Sequence, residues 1–115
     1  MFFETKNIKI INNDFLTTNL IKNNSIDLIV TSPPYNLSIS YGSFEDDIPY
    51  EKYIEFTEKW LERALLLAKT DGRMCLNIPI DKSRGRKEAG FQCVYADIVN
   101  IAKEVGWKYF STIIW

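Results

Sequence analysis

The 115-residue sequence contains no histidine. That absence excludes the Ser-His-Asp and Cys-His types of nucleophilic catalysis, because both use an imidazole as the general base. Cysteine is nearly absent too, and Cys75 and Cys93 have neither the number nor the spacing of a disulfide framework or a metal site. We therefore predict no metal and interpret both cysteines as ordinary core thiols.

Long apolar runs are also missing. No run reaches the roughly 18 residues of a membrane span, and the N-terminal stretch MFFETKNIK lacks the apolar segment of a signal peptide. We expect no membrane segment and a cytoplasmic protein. The net charge is −1, so a polyanionic partner would have to meet a local basic patch rather than the overall field. With 46% apolar residues, the chain can bury one core and is expected to be one domain or one piece of a domain.

Apolar periodicity predicts alternating strands and helices. SIDLIV, residues 25–30, is apolar almost throughout and predicts a central parallel strand that is buried on both faces. Gly72 is expected to close the turn after the first long helix, and Gly106 to stop the second. The strands are predicted at 7–11, 25–30, 73–79 and 107–115, and the helices at 46–69 and 92–105, with a weak helical turn at 15–23.

This order of elements indicates the fold class. Strand, helix, strand, helix and strand at these lengths predict a right-handed βαβ series. The expected architecture is α/β, with a doubly wound, mostly parallel sheet and helices on both of its faces.

TSPPYN, residues 31–36, directly follows the strand predicted at 25–30. Two adjacent prolines cannot continue a sheet, since neither has an N–H to donate. Ligands of open α/β sheets bind beyond the carboxyl ends of the strands. A hydroxyl at Ser32, carbonyls at Ser32 and Pro33 and a ring at Tyr35 would suit a planar group that carries an amine. The alternative is a plain proline turn with Tyr35 packed in the core.

The stretch SIDLIVTSPPYN resembles motif IV of the S-adenosylmethionine-dependent DNA amino-methyltransferases, in which Ser or an acidic residue precedes Pro-Pro and an aromatic residue. The Ser form is similar to the branch that methylates the N4 amine of cytosine, whereas DPPY is commoner among N6-adenine enzymes. The resemblance extends over nearly the whole chain, and a motif so near the N-terminus fits the β-type order of the family. It implies a Rossmann-like methyltransferase fold, S-adenosylmethionine as cofactor, double-stranded DNA as partner and a role in restriction-modification.

The resemblance also implies roles for the motif residues. Ser32 and the Pro33 carbonyl would accept hydrogen bonds from the exocyclic amine of a base flipped out of the duplex, and Tyr35 would stack on that base. Pro33 and Pro34 would hold the backbone rigid. Transfer would be direct, without an enzyme-bound covalent intermediate.

Two residues are assigned to the cofactor. Asp14 matches the acidic position that lies near the cofactor adenosine in this family, although Asn13 replaces the usual preceding glycine. A solvated turn aspartate is the alternative for Asp14. Thr31, which precedes the motif serine, is assigned with it.

Residues 81–90, DKSRGRKEAG, form the one charge cluster of the sequence. A phosphate-contacting loop beside the active site is one interpretation, and a solvated face is the other. The DNA-binding residues expected in this loop are Lys82, Arg84, Arg86 and Lys87.

One family signature does not occur in these 115 residues: the Phe-x-Gly-x-Gly turn that approaches the methionine end of the cofactor. No segment is large enough for a target-recognition region either. We therefore expect residues 1–115 to be a single catalytic-motif portion, incomplete as a methyltransferase domain, that pairs with the remainder of the enzyme or forms a homodimer. Three functions remain open: cytosine-N4 methylation, which is favoured, adenine-N6 methylation, and a non-catalytic fragment that retains the fold or the DNA contact.

Overall fold

The computed structural model describes residues 2–34, 40–41, 44–45, 48–80, 82–83 and 91–115. The described residues form a mixed α/β fold built around one parallel pair of strands and two helices. In chain order the elements are β1 (Phe2–Glu4), β2 (Lys9–Ile11), β3 (Ile26–Thr31), β4 (Ser40–Tyr41), β5 (Phe44–Glu45), α1 (Tyr50–Leu67), β6 (Ala68–Leu76), β7 (Lys82–Ser83), β8 (Phe91–Gln92) and α2 (Val94–Val105).

Strands β3 and β6 run parallel and are connected by α1, which confirms the predicted βαβ unit. Leu28 pairs with Arg73, and Thr31 pairs with Leu76 at the carboxyl ends. The register shifts near the start of β3. Ile26 pairs with Ala68 and Leu28 with Arg73, so β6 has more residues between these two pairs than β3 has. The last turn of α1 is fixed to the amino end of β3, because the Ser25 amide donates to the Leu67 carbonyl at 2.9 Å.

The prediction that Gly72 closes the turn after the first helix is wrong. Helix α1 passes directly into β6 at Ala68, whose backbone is already extended (φ −71°, ψ 145°). Gly72 lies inside β6, in the irregular segment of the register. A Cβ atom there would lie 2.9 Å from the Lys69 carbonyl oxygen and 3.0 Å from that of Ile26. Glycine is therefore needed for a close approach of two backbones, not for a turn.

Helix α1 confirms the first predicted helix. Pro49 precedes it with φ −51°, and its carbonyl accepts the amides of Lys52 at 2.9 Å and Tyr53 at 3.0 Å. Apolar residues three and four positions apart then form a stripe that faces the core. The buried residues of α1 are Tyr53, Thr57, Trp60, Leu61, Ala64 and Leu67.

Helix α2 confirms the second predicted helix, and Gly106 ends it as expected. Gly106 has φ +129°, a conformation that side chains rarely tolerate, and its amide donates to the Ala102 and Lys103 carbonyls, each at 3.2 Å. The Trp107 indole then donates to the Leu61 carbonyl at 3.1 Å, which ties the segment after α2 to α1.

The core cluster lies where the two helices meet the carboxyl end of β6. Tyr53, Val94 and Ile98 are each at most 2% exposed, and Leu76 and Ile78 pack against them with Ile48 and Tyr50. One buried cluster of the described molecule is thus adjacent to the carboxyl end of β6.

The prediction that residues 25–30 are buried on both faces is wrong for one face. Leu28 is 55% exposed and Val30 is 72% exposed, whereas Ile29 and Thr31 on the opposite face are half-buried. The reason is that β3 pairs with β6 alone, and no described element covers the Leu28 side. The mixed α/β class with parallel strands is established, and the doubly wound arrangement stays a prediction.

Two further expectations are corrected by exposure. Cys75 and Cys93 are exposed rather than core thiols. Cys75 is the register partner of Val30 and alternation places it on the same uncovered side, while Cys93 is the residue that precedes α2.

The strand expected at 107–115 is also not formed. No described strand pairs with this segment, and a strand needs a hydrogen-bonded neighbour to be stable. From Tyr109 onward its large apolar side chains are exposed, and the Arg73 guanidinium lies 5.5 Å from the ring centroid of Phe110. The first predicted strand is present as β2, paired antiparallel with β1. Within the described ranges, no helix is long and apolar enough to cross a membrane.

Candidate active site

The candidate site lies at the carboxyl edge of the β3–β6 pair. Thr31 ends β3 and Leu76 ends β6, and the two residues are register partners. Immediately beyond them, the Asn77 amide donates to the Thr31 carbonyl at 3.0 Å. The segment that follows Thr31 therefore leaves the sheet beside the segment that follows β6, at the edge where open α/β sheets bind ligands.

The first three motif residues differ in exposure. Ser32 is exposed, Pro33 is buried and Pro34 is half-buried. Neither proline has an N–H, so no backbone donor of these two residues competes for nearby acceptors. The strand end thus presents a hydroxyl that can donate or accept, on a backbone that is anchored by the residue after it.

Tyr53 anchors the far end of this short segment. Its hydroxyl donates to the Pro34 carbonyl at 2.9 Å, while its ring is 2% exposed in the core cluster. The apolar spacing of α1 does not reveal this contact. The available signal was the residue type, since a buried tyrosine, unlike phenylalanine, needs a partner for its hydroxyl.

The residue that is expected to stack on the base and most of the basic loop lie outside the described residues. These are Tyr35, Arg84, Arg86 and Lys87. Lys82 lies in β7 and pairs with Gln92 of β8, so that the described strands form an antiparallel stem on either side of the loop. Lys82 lies five positions after Asn77, which limits their Cα distance to about 18 Å.

Asp14 lies in a tight turn. Its carbonyl accepts the Thr18 amide at 2.9 Å, and its carboxylate oxygen Oδ1 accepts the Leu16 amide at 2.9 Å. A side-chain oxygen that binds the amide two residues on is typical of an Asx turn. The structure therefore gives Asp14 a local structural role, and its assignment to the cofactor stays a prediction, as does that of Thr31.

Arg63 fixes this turn to helix α1. Its guanidinium donates to the Phe15 carbonyl at 3.4 Å and to the Thr18 carbonyl. Arg63 lies ten residues after Tyr53, which corresponds to about 15 Å along the helix axis. The described contacts thus anchor the Asp14 turn and the strand-end motif at well-separated positions on α1, rather than together.

Tyr50 and Asp97 join the first turns of the two helices. The Tyr50 hydroxyl donates to the Asp97 carboxylate, and burial, reinforced by this hydrogen bond, raises the pKa of Tyr50 well above its ordinary value. Both residues line a shallow depression of about 280 Å³ between the helices, whose other walls are Ile54, Asn100 and Ile101. No described residue of the 31–34 segment lines it, and the pair braces the two helices.

The chemistry available at the strand end is that of hydrogen-bond acceptors. Within the described ranges, no group of three or more His, Cys, Asp or Glu side chains could hold a metal ion. A serine hydroxyl and main-chain carbonyls are suited to accept from an amine, with no covalent step of their own.

The profile of a DNA methylase family, that of the N6 and N4 methyltransferases, matches residues 26–115, which include the strand-end motif and both helices. No solved structure shows a significant match to the chain.

Individual relatives are type II methyltransferases. M.MjaVI of Methanocaldococcus jannaschii is 58% identical over 108 residues, which are 94% of this chain and 53% of the relative. M.HpaI of Haemophilus parainfluenzae is 46% identical over 52 residues, 45% of this chain and 17% of the relative. M.ScaI of Streptomyces caespitosus is 32% identical over 80 residues, 67% of this chain and 25% of the relative. The chain thus spans about half the length of M.MjaVI and less of the other two.

Proposed function

We propose, since the chain belongs to the DNA methylase family of N6 and N4 methyltransferases, that it carries the amine-accepting part of a cytosine-N4 methyltransferase. The substrate would be a specific sequence in double-stranded DNA, and the enzyme would serve restriction-modification in the cytoplasm. The single observation that carries this proposal is the exposed Ser32, which stands at the carboxyl end of β3 ahead of a buried proline.

Ser32 and Pro33 would act directly on the target amine. The base has to leave the duplex first, because its amine is paired and stacked inside the helix. The Ser32 hydroxyl and the Pro33 carbonyl then accept its N–H groups and orient the nitrogen lone pair, and Tyr35 stacks on the base. When bound, S-adenosylmethionine supplies the electrophilic methyl group. The accepting oxygens also stabilise the positive charge that develops on the amine.

The chain supplies only part of a cofactor site. The exposed carboxylate of Asp14 can accept a hydrogen bond from a hydroxyl such as that of a ribose. Thr31 is the last residue of β3 and directly precedes Ser32. The glycine pair with which the family approaches the methionine end does not occur in residues 1–115. We therefore assign the remaining cofactor contacts and the target-recognition region to residues beyond this sequence.

The uncovered face of the β3–β6 pair supports such a second part. Parallel strands are almost always covered on both faces, yet Leu28 and Val30 expose more than half of their surface. The remainder of the enzyme, or a second copy of this chain, would bury them. The remainder is favoured, since the match to M.MjaVI covers 94% of this chain but only 53% of that relative.

The basic loop is the proposed contact with the DNA backbone. Its stem begins within about 18 Å of Asn77 by chain length, and Asn77 itself is bonded to the strand end. Lys82, Arg84, Arg86 and Lys87 would bind phosphates and position the duplex without reading its sequence.

Product analysis distinguishes this proposal from its alternatives. Plasmid DNA modified by the full-length enzyme is digested to nucleosides and analysed by mass spectrometry, with DNA from cells that carry Ser32→Ala as control. N4-methylcytosine is the expected product. N6-methyladenine would establish the second candidate, which stays open because the matching family covers both reactions.

A non-catalytic fragment is the third candidate. Calorimetric titration of the 115-residue chain with S-adenosylmethionine tests it, alone and with a polypeptide that supplies the missing glycine signature. Heat of binding that occurs only with the second polypeptide would support a site shared between the two parts. An absence of both binding and methylated product would favour the fragment.

A further inference from the structure

We propose that Tyr53 is a positioning residue for methyl transfer, because its hydroxyl fixes the peptide unit that leads from Pro34 into Tyr35. This inference rests on the proposed function of the strand-end motif. It assigns to α1 a role beyond packing, since the helix would hold the acceptor segment in the geometry that the target amine requires.

The hydrogen bond from Tyr53 to the Pro34 carbonyl, here called the tether, restricts a backbone torsion that the two prolines do not fix. Proline fixes its own φ near −65°, but its ψ can still rotate, and ψ sets the direction in which the carbonyl points. The Pro34 carbonyl shares a rigid peptide plane with the amide of Tyr35. A hydrogen bond to that carbonyl therefore restricts ψ of Pro34 and the orientation of this peptide plane.

Tyr53 is itself held firmly enough to do this. Its ring is 2% exposed and packs with Val94 and Ile98 of the second helix. Its carbonyl accepts the hydroxyl of the buried Thr57 at 2.8 Å, one turn further along α1. A hydroxyl carried by a ring so enclosed has little freedom, and it lies 2.9 Å from the Pro34 carbonyl oxygen.

Two carbonyls that flank Ser32 and Pro33 already accept hydrogen bonds from other parts of the protein. The Pro34 carbonyl accepts from Tyr53, while the Thr31 carbonyl accepts from the Asn77 amide. The segment between them, Ser32 and Pro33, is bracketed by two hydrogen bonds to different parts of the fold. Those are the two residues whose oxygens are proposed to accept the amine, so both ends of the acceptor segment are fixed.

Tyr53→Phe in the full-length enzyme removes the hydroxyl and keeps the ring. Tyr50→Phe is the matched control, because its ring centroid lies 6.1 Å from that of Tyr53 on the same helix but its hydroxyl binds Asp97. Tyr53→Phe should lower the single-turnover rate of methyl transfer roughly three- to tenfold, as expected for one neutral hydrogen bond, with an unchanged Kd for S-adenosylmethionine. Tyr50→Phe should leave the rate of the folded enzyme unchanged.

Hydrogen exchange of the segment that includes Thr31 and Ser32 gives a readout that does not need activity. Exchange should be faster in Tyr53→Phe and equal to the wild type in Tyr50→Phe. Equal rates and equal exchange in Tyr53→Phe would overturn the inference, and so would equal losses in the two variants, which would indicate a general loss of packing. A wild-type enzyme that methylates no DNA would overturn the proposed function, and the exchange measurement would then still decide whether the tether exists.

Discussion

The amide of Asn77 and the carbonyl of Thr31 form a 3.0 Å hydrogen bond just beyond the last register pair of β3 and β6. This contact joins the residue before Ser32 to the chain that leads toward the basic loop. The acceptor segment, Ser32 and Pro33, therefore follows the end of a paired strand rather than lying in an isolated turn. Thr31, which precedes it, is held by this hydrogen bond.

Ser32→Ala in the full-length enzyme should lower the single-turnover rate of methyl transfer by one to three orders of magnitude. One hydrogen bond that strengthens in the transition state is worth roughly 2–4 kcal/mol, and S-adenosylmethionine binding should be nearly unchanged. Ser25→Ala is the control, because it makes the same change at the amino end of the same strand, where the hydroxyl binds the Lys22 carbonyl. Equal rates in wild type and Ser32→Ala would show that Ser32 has no part in the reaction.

Gly72→Ala should destabilise the protein by about 1–3 kcal/mol, as overpacking of a closely packed site does. The added Cβ would approach two backbone oxygens at 3.0 Å or less, and backbone cannot move aside as a flexible side chain can. Urea denaturation measures the change, with the exposed Thr70→Ala in the same strand as control. A stability equal to that of the control would mean that the register shift relaxes without cost.

Gly72 also shows where sequence reasoning reached its limit. Periodicity describes one segment at a time, whereas one of the two carbonyls that Gly72 approaches, that of Ile26, belongs to another strand. The exposure of Cys75 has a similar cause. Its burial depends on whether something covers the Leu28 side of the pair, which no local pattern in β6 encodes.

The parts that were predicted correctly have local causes. The apolar spacing of α1 and α2 and the stop at Gly106 depend on residues within a few turns of one another. The location of Ser32 at a strand end follows from the two prolines after it. The tether from Tyr53 joins residues nineteen positions apart, and its one local signal is a tyrosine among core residues.

Tyr50→Phe should reduce the loss of stability at alkaline pH. The pKa of Tyr50 is raised above 10.0 in the folded protein, so the folded state holds this proton more tightly than the unfolded state. Its contribution is fully present below about pH 10 and is lost as the pH rises toward the folded pKa. The wild-type free energy of unfolding should therefore fall more steeply than that of Tyr50→Phe above about pH 10.

Urea denaturation of both proteins over a series of alkaline pH values measures this difference. Below about pH 10 the variant should be less stable by about 1 kcal/mol, because it lacks the hydrogen bond to Asp97. The two curves should then converge as the pH increases. Curves that stay parallel throughout would show that the proton on Tyr50 is not linked to folding.

Arg84→Ala combined with Arg86→Ala should weaken binding of the full-length enzyme to target and non-target DNA alike. Side chains that neutralise phosphates release counterions without reading bases, and each contact adds about 0.9 to the slope of log affinity against log salt. The double change should flatten that slope by roughly 1 to 2 and leave sequence preference intact.

Lys103→Ala with Lys108→Ala is the control, since both lysines are exposed at the end of α2 that packs near the last turn of α1, away from the strand-end motif. Titrations at several salt concentrations give the slopes. Equal slopes for wild type and the arginine variant would exclude phosphate contact, and a loss confined to the target sequence would mean that these residues read bases.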